Sequence, residues 1–275
     1  MLPELARLGF VQDRNLVVSF RFGDTAQLPE LARDILRENP DVVFAGGNNA
    51  THAVRELTRT VPIVMIGADP VGQGFAESLA RPGGNVTGIS ILAAELDGKR
   101  LEILHNALPQ ARRIGALMQP RSPDRQASEL AMRKVATLLG LELYLFDAAE
   151  RSDYAAAFAA MGEARAEALL IMATPQFFGD AAMLARSARE ARLPTMCEWA
   201  EMARAGCLLG YGPDIVDPRR RVANYVARIL RGASPGEMPI EQPTRFAFAV
   251  NLETARAIGV VLPPSLMLQA DEVYE

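Results

Sequence analysis

A chain of 275 residues, 49% hydrophobic and 23% charged, has room for two packed lobes and the composition of an ordinary globular protein, neither disordered nor fibrous. A net charge of -4, with arginines scattered along the length, gives no basic field for a nucleic-acid backbone and argues against nucleic acid as a partner. No run reaches the roughly 18 apolar residues of a membrane span, and the first residues carry Glu4 and Arg7 where a signal peptide would be apolar.

From Leu28 onward the sequence alternates between helix-period and continuous apolar segments, the pattern of a parallel sheet covered by helices. Leu28, Leu31, Ala32, Ile35 and Leu36 mark one helical face; then 41–47 reads as a buried strand, 51–60 as a helix, 62–68 as a strand and 74–80 as a short helix. A glycine-rich joint, RPGGNVTGIS at 81–90, interrupts the pattern. The alternation restarts with helices at 94–108, 124–140, 153–165 and about 179–192, interleaved with strands at 113–119, 141–148, 167–174 and 194–199. A short helix at 201–205, a strand at 207–212 and a long helix from about 215 to 230 follow. The triple Arg219, Arg220 and Arg221 reads as the solvated start of that helix. A second joint-like stretch at 230–239 precedes a strand at 245–251 and a short helix at 252–259. Crossovers of this length imply an α/β protein with two doubly wound parallel-sheet lobes.

In such sheets ligands bind beyond the carboxyl ends of the strands, where loops lead into helix N-termini. Those loops are 46–51, 67–72, 119–124, 173–180 and 197–201. In the first, Gly46 and Gly47 allow close backbone approach, and Asn48, Asn49 or Thr51 either cap the next helix or hydrogen-bond a solute. Asp69, before Pro70, suits a helix cap or a ligand ammonium group. Ser122, followed by Pro123 and Asp124, is a helix start whose amides would also hold a carboxylate. Phe177, Phe178, Trp199 and Tyr211 fall near strand ends, where a flat apolar ligand would fit them unless they are ordinary core rings. Glu198, beside Trp199, either pairs with a cationic group or is simply exposed.

Catalysis finds no support. His52 and His105 lie in helices with no nucleophile or metal pattern around them, and no phosphate-binding glycine motif is present. That points to a binding protein and not an enzyme, with no catalytic residue, cofactor or metal. Cys197 and Cys207 match no metal spacing and read as two buried thiols, which leaves the compartment open.

Several stretches carry a family likeness: LGFVQDRNLVVSFRF, GGNNATHAV, GADPVGQGFAESLARPGGNVTGIS, ELDGKRLEIL, YGPDIVDPRRRVANYVARILRG and QPTRFAFAVNLETARAIGVVLPPSLMLQADEVYE. In order and spacing, over essentially the whole chain, they resemble the ABC-transporter solute-binding proteins of the tryptophan/tyrosine-type group. The resemblance implies a type I periplasmic-binding fold, with lobes at 1–88 plus 211–236 and 89–210 plus 237–275. Three crossing segments, near 86–90, 208–213 and 237–245, would join lobes that close on a small solute. It implies ligand contacts at Asn48, Asn49, Ala50, Thr51, Asp69, Ser122, Thr174, Gln176, Glu198 and Tyr211, to which the local reading adds Phe177 and Trp199. The expected solute is an aromatic amino acid or another small carboxylate, and the expected partner of this monomer is an ABC permease in the membrane. A ligand-sensing module feeding a signalling or regulatory partner is the alternative. Measured against the family, the chain opens inside the first helix and lacks the first strand. The resemblance therefore implies a longer coding sequence with an export signal, and a periplasmic or membrane-anchored location outside the cytoplasm.

Overall fold

In a computed structural model describing residues 1–214 and 216–275, the chain begins with α1 (Leu2–Arg7) and α2 (Leu28–Arg37), each with proline in its first turn. Three apolar runs then form β1 (Val43–Gly46), β2 (Ile63–Ala68) and β3 (Val86–Ile91), with α3 (Asn48–Leu57) between the first two. Next come α4 (Ala93–Ala107), β4 (Arg113–Met118), α5 (Arg125–Leu139), β5 (Glu142–Asp147), α6 (Tyr154–Glu163) and β6 (Ala168–Ile171). They are followed by α7 (Pro175–Gly179), α8 (Ala181–Glu190), β7 (Thr195–Cys197), α9 (Ala200–Arg204), β8 (Leu209–Pro213) and α10 (Val216–Leu230). The chain ends with β9 (Phe246–Asn251), α11 (Leu252–Ile258), α12 (Pro264–Met267) and β10 (Glu272–Tyr274).

Two expectations change and a third is not covered. Residues 74–80 form turns and no helix: Phe75 and Ala76 both donate to the Pro70 carbonyl, in a stretch broken by Gly72, Gly74 and Pro82. The helix expected at about 179–192 is α8, but the loop expected at 173–180 holds a further short helix, α7, capped by Thr174. The expected start of the long helix at Ile215 lies outside the described residues.

Contacts divide the chain into Met1–Leu92 with Ile215–Thr244, and Ala93–Asp214 with Arg245–Glu275. The chain thus passes between units three times, each a few residues later than the sequence suggested. The reason is hydrogen bonding. All of β8 pairs with β7 and β9 in the second unit, whereas 238–241 bonds to β3 in the first: the Thr87 hydroxyl donates to the Met238 carbonyl (2.8 Å) and Ser90 N–H to Glu241 O (2.8 Å). The two joint-like stretches meet there as well, with Gly83 N–H on the Gly236 carbonyl.

The first unit's sheet is parallel, in order β1-β2-β3. Side-chain alternation sends Val43, Ala45, Ile63, Met65 and Val86 toward Ala32 of α2 and Ala53 and Val54 of α3. It sends Val64 and Ile89 to the other face, against Val222, Val226 and Ile229 of α10 and Leu5 of α1. Both faces are therefore covered, and each large aliphatic side chain so buried contributes about 1.5–3 kcal/mol.

The second unit holds seven strands in order β10-β9-β8-β7-β6-β4-β5. Every pair is parallel except β8 with β9. That exception corrects the all-parallel expectation: the chain leaves after β8 and re-enters beside it, Asp214 N–H bonding Arg245 O, so β9 must run back along β8. The interior strand β6 is buried along its whole length, as a strand covered on both faces must be.

Candidate functional site

At the carboxyl ends of β1 and β2, most of the polar side chains turn inward. The Asn48 amide donates to Ala68 O (2.9 Å) and accepts from Ala68 N–H (3.0 Å), bracing α3 against the end of β2. Gly67 is required beside it, since a Cβ there would lie 2.2 Å from Asn48 Oδ1. Thr51 is wholly buried and its hydroxyl donates to Gly47 O (2.9 Å), tying the side chain into the helix start. Asp69 takes a left-handed backbone (φ 42°) and its Oδ1 accepts from Gly72 N–H (2.9 Å), closing a turn where no helix follows. Asn49 and Ala50 are half-buried in the first turn of α3, where no side chain caps the helix and backbone N–H groups remain available to an anion. His52 packs its ring on Phe75 and bonds Gln73, a structural role.

In the second unit the loops after β4 and β6 form one network. Gln119 Nε2 donates to Gln176 Oε1 (2.6 Å), Gln176 Nε2 to the Tyr154 hydroxyl (3.1 Å), and that hydroxyl to Asp180 Oδ2 (2.7 Å). Arg151 closes it on Asp180 Oδ1 (2.7 Å). Burial first, then the Asp180 carboxylate, push the Tyr154 phenol above its usual range, so it remains a donor. Gln176 is thus held on both sides of its amide. Thr174 accepts from Phe177 N–H as the cap of α7, and Ser122 accepts from Asp124 N–H (3.3 Å). The Phe177 ring is wholly buried against Tyr154, in the core of the second unit.

The ends of β7 and β8 form a different kind of corner. The segment Glu198–Trp199 lies so close over β8 that a Cβ on Gly210 would sit 2.2 Å from Trp199 O, and one on Gly212 1.9 Å from Glu198 O. Gly-Tyr-Gly is therefore obligatory, and it leaves Tyr211 half-buried between them, stacked on Phe246 and edge-on to Phe248. Trp199 meets Phe178 edge-on at 6.3 Å. Arg100 of α4 ties the corner together: Nε donates to Tyr211 O (2.8 Å), Nη2 to Glu198 O (3.0 Å) and Nη1 to Asp97 Oδ1 (2.7 Å). Arg100 and Asp97 are completely buried.

Glu198 is buried too, against the expectation that it might be exposed. Its carboxyl lies beside Trp199 and Thr174, at the ends of β7 and β6. Burial pushes it up to about 8, against the pull of Arg100; Asp97 pushes the same way as burial. Cys197 and Cys207 are joined in a disulfide, correcting the reading as free thiols, and the ring they close carries Glu198, Trp199 and α9.

Sequence reading did not single out Asp97, Arg100, Gln119, Tyr154, Asp180 or Arg151. For the first two a signal existed: a charged i,i+3 pair on the helical stripe otherwise made by Leu96, Leu101 and Leu104. Among the described residues no group of three or more His, Cys, Asp or Glu side chains could hold a metal.

Two α/β units joined by three passages of chain, with loops gathered at strand ends, define the type I periplasmic-binding fold. A conserved domain protein of Vibrio cholerae superposes with a TM-score of 0.91 at 24% identity, covering 99% of this chain and 92% of that one. An ABC domain in complex with L-Trp from Streptococcus pneumoniae gives 0.88 at 21%, covering 98% and 92%. Residues 5–274 match the family described as ABC transporter substrate binding protein, and the chain belongs to it. A protein of Clostridioides difficile named tyrosine-binding protein is 21% identical over 255 residues, 92% of this chain and 73% of that protein. The family binds small solutes outside the cytoplasm for a membrane transporter. Among the described residues no helix is long and apolar enough to cross a membrane.

Proposed function

We propose that this chain is the solute-capturing component of an ABC importer that takes an aromatic amino acid or a related small aromatic carboxylate. The observation that carries the proposal is the corner at the ends of β7 and β8, where the acidic Glu198 stands beside Trp199, Phe178 and Tyr211. Rings supply a flat apolar surface and Glu198 a counter-charge for an ammonium group. Two relatives agree in kind: one is named for tyrosine and one holds L-Trp. The Cys197–Cys207 disulfide fits an oxidising compartment outside the cytoplasm. A thermal-shift panel of L-tryptophan, L-tyrosine, L-phenylalanine and their deaminated acids tests the reading. A solute at about 100 times its Kd should add roughly 2.7 kcal/mol of stability. No shift from any member of the panel overturns it.

A further inference from the structure

Hydrogen-bond direction in the network around Gln176 is fixed from both of its ends. At one end the Asp180 carboxylate holds the Arg151 guanidinium and has only lone pairs to offer. The Tyr154 hydroxyl must therefore point its one hydrogen at Asp180 Oδ2 (2.7 Å) and receive from Gln176 (3.1 Å). At the other end the backbone decides. Arg121 N–H donates to Gln119 Oε1 (2.8 Å) and the Ala149 carbonyl accepts from Gln119 Nε2 (3.0 Å), which leaves the second Nε2 hydrogen of Gln119 for Gln176 Oε1 (2.6 Å). Both ends thus turn the nitrogen of the Gln176 amide toward Tyr154 and its oxygen toward Gln119. Asp180, Tyr154 and Gln119 are buried, so bulk water does not compete for these bonds. Gln176 itself is half-buried, and its second Nε2 hydrogen has no acceptor among the described residues.

An amide held in one orientation offers a solute a donor at a fixed place. The segment that carries Gln176 also brings Thr174 beside the Glu198 carboxyl and Phe178 edge-on to Trp199. We propose that Tyr154 and Asp180 are positioning residues for solute recognition: they lock the Gln176 amide so that its remaining N–H donates to the carboxylate of the solute, while the neighbouring corner takes the ring and the ammonium group. This deepens the proposed function and rests on it. It gives the second unit a preference for molecules that carry a carboxylate together with the ammonium group over amines of the same ring that lack one. A reversed amide would set its oxygen against the carboxylate, lone pair to lone pair. Burial, and then the Asp180 carboxylate, raise the Tyr154 phenol above its ordinary range, so the hydroxyl keeps its hydrogen and the relay keeps its direction through the neutral range.

Calorimetric titration with L-tyrosine, and with its decarboxylated amine tyramine read by displacement where it is the weaker ligand, tests this through the ratio of the two affinities. Gln176→Ala should weaken L-tyrosine roughly 10- to 100-fold and leave tyramine within about twofold. Tyr154→Phe keeps the ring against Phe177 and removes only the relay; it should weaken L-tyrosine about two- to tenfold and again spare tyramine. A merely structural role would lower both affinities alike and leave the ratio where it was. Asp180→Asn supplies the sign. The one oxygen of the new side chain goes to Arg151, its NH2 group then meets Tyr154, and the hydroxyl turns its hydrogen onto Gln176. Loss of a negative charge acting through space would strengthen carboxylate binding, whereas loss of the relay weakens it, so the L-tyrosine affinity should fall relative to that of tyramine. A ratio left unchanged by any of the three substitutions overturns this inference and leaves the proposed function standing. If neither L-tyrosine nor L-tryptophan binds the unaltered chain, the proposed function falls and this inference with it.

Discussion

The strand-end loops of the two units solve the same problem by opposite means. In the first unit Asn48, Thr51 and Asp69 all bond to nearby backbone, so what remains for a solute is backbone N–H and shape. In the second unit the side chains bond to one another across elements, and a charged corner is built into the core behind the aromatic rings. Backbone groups present a fixed dipole that no protonation alters, whereas a buried carboxyl changes its charge when its surroundings change.

The contrast can be broken most forcefully at Arg100. Arg100→Met leaves Asp97 buried without its guanidinium and frees two carbonyls, and should cost about 3–5 kcal/mol in chemical denaturation. Asp97→Leu combined with Arg100→Met should recover much of that loss, since an apolar pair of similar volume removes the stranded charge. Recovery of stability without recovery of solute binding would separate the structural from the positioning role of Arg100. Next in size is the disulfide. Reduction, or Cys197→Ser with Cys207→Ser, should lower stability by about 2–3 kcal/mol, read as a shift of the denaturation midpoint with and without reductant. In the first unit, Asn48→Ala removes a two-point brace from a buried backbone pair and should cost about 2 kcal/mol, while Asn49→Ala should leave stability within about 0.5 kcal/mol. Should the two asparagines prove equal, the account of the first unit's loops fails.

How much of this could be read in advance follows the physics of each feature. Continuous apolar runs such as 168–171 and 113–118 announce buried parallel strands, because only a strand covered on both faces lacks a polar side. The loops at Asn48, Gln176 and Glu198 were legible as strand ends. What their side chains do there was not, because the partner of Asn48 is Ala68 and that of Gln176 is Gln119, and pairings across 20 and 57 residues leave no local pattern. The antiparallel β9 was hidden for a like reason: its direction depends on where the chain re-enters beside Asp214, not on its own residues. The disulfide was missed because a separation of ten positions between cysteines says nothing about Cα geometry until α9 folds between them. The short α12 and β10 are too brief to show periodicity. The Gly-Tyr-Gly of β8 was visible as a sequence, but its cause, the backbone of Glu198 and Trp199 lying over it, becomes apparent only in three dimensions.

The smallest effect sharpens the comparison within the second unit itself, between two carboxyls at opposite ends of its sheet. Glu167, just before β6, accepts from the backbone N–H groups of Arg112 (2.7 Å) and Arg113 (2.9 Å) and pairs with the Arg113 guanidinium. Those backbone bonds, then the arginine charges, hold its carboxyl below the usual range. A depressed value means stability that is present above about pH 4.5 and is lost as the pH falls through the folded value. Because the pair is about one-third exposed, solvent screening keeps its contribution under about 1 kcal/mol. Glu198 has the opposite sign. Its raised value means stability that is full below about pH 4.5 and is lost as the pH climbs toward 8 in the empty protein. Melting temperature against pH should therefore show a shallow acid limb that Glu167→Gln removes and a neutral-range decline that Glu198→Gln flattens. Under the proposed function, saturating L-tyrosine should suppress only the second, since its ammonium group favours an ionised Glu198. A decline between pH 5 and 8 that survives Glu198→Gln unchanged would mean that the pH sensitivity of this unit lies elsewhere than at the end of β7.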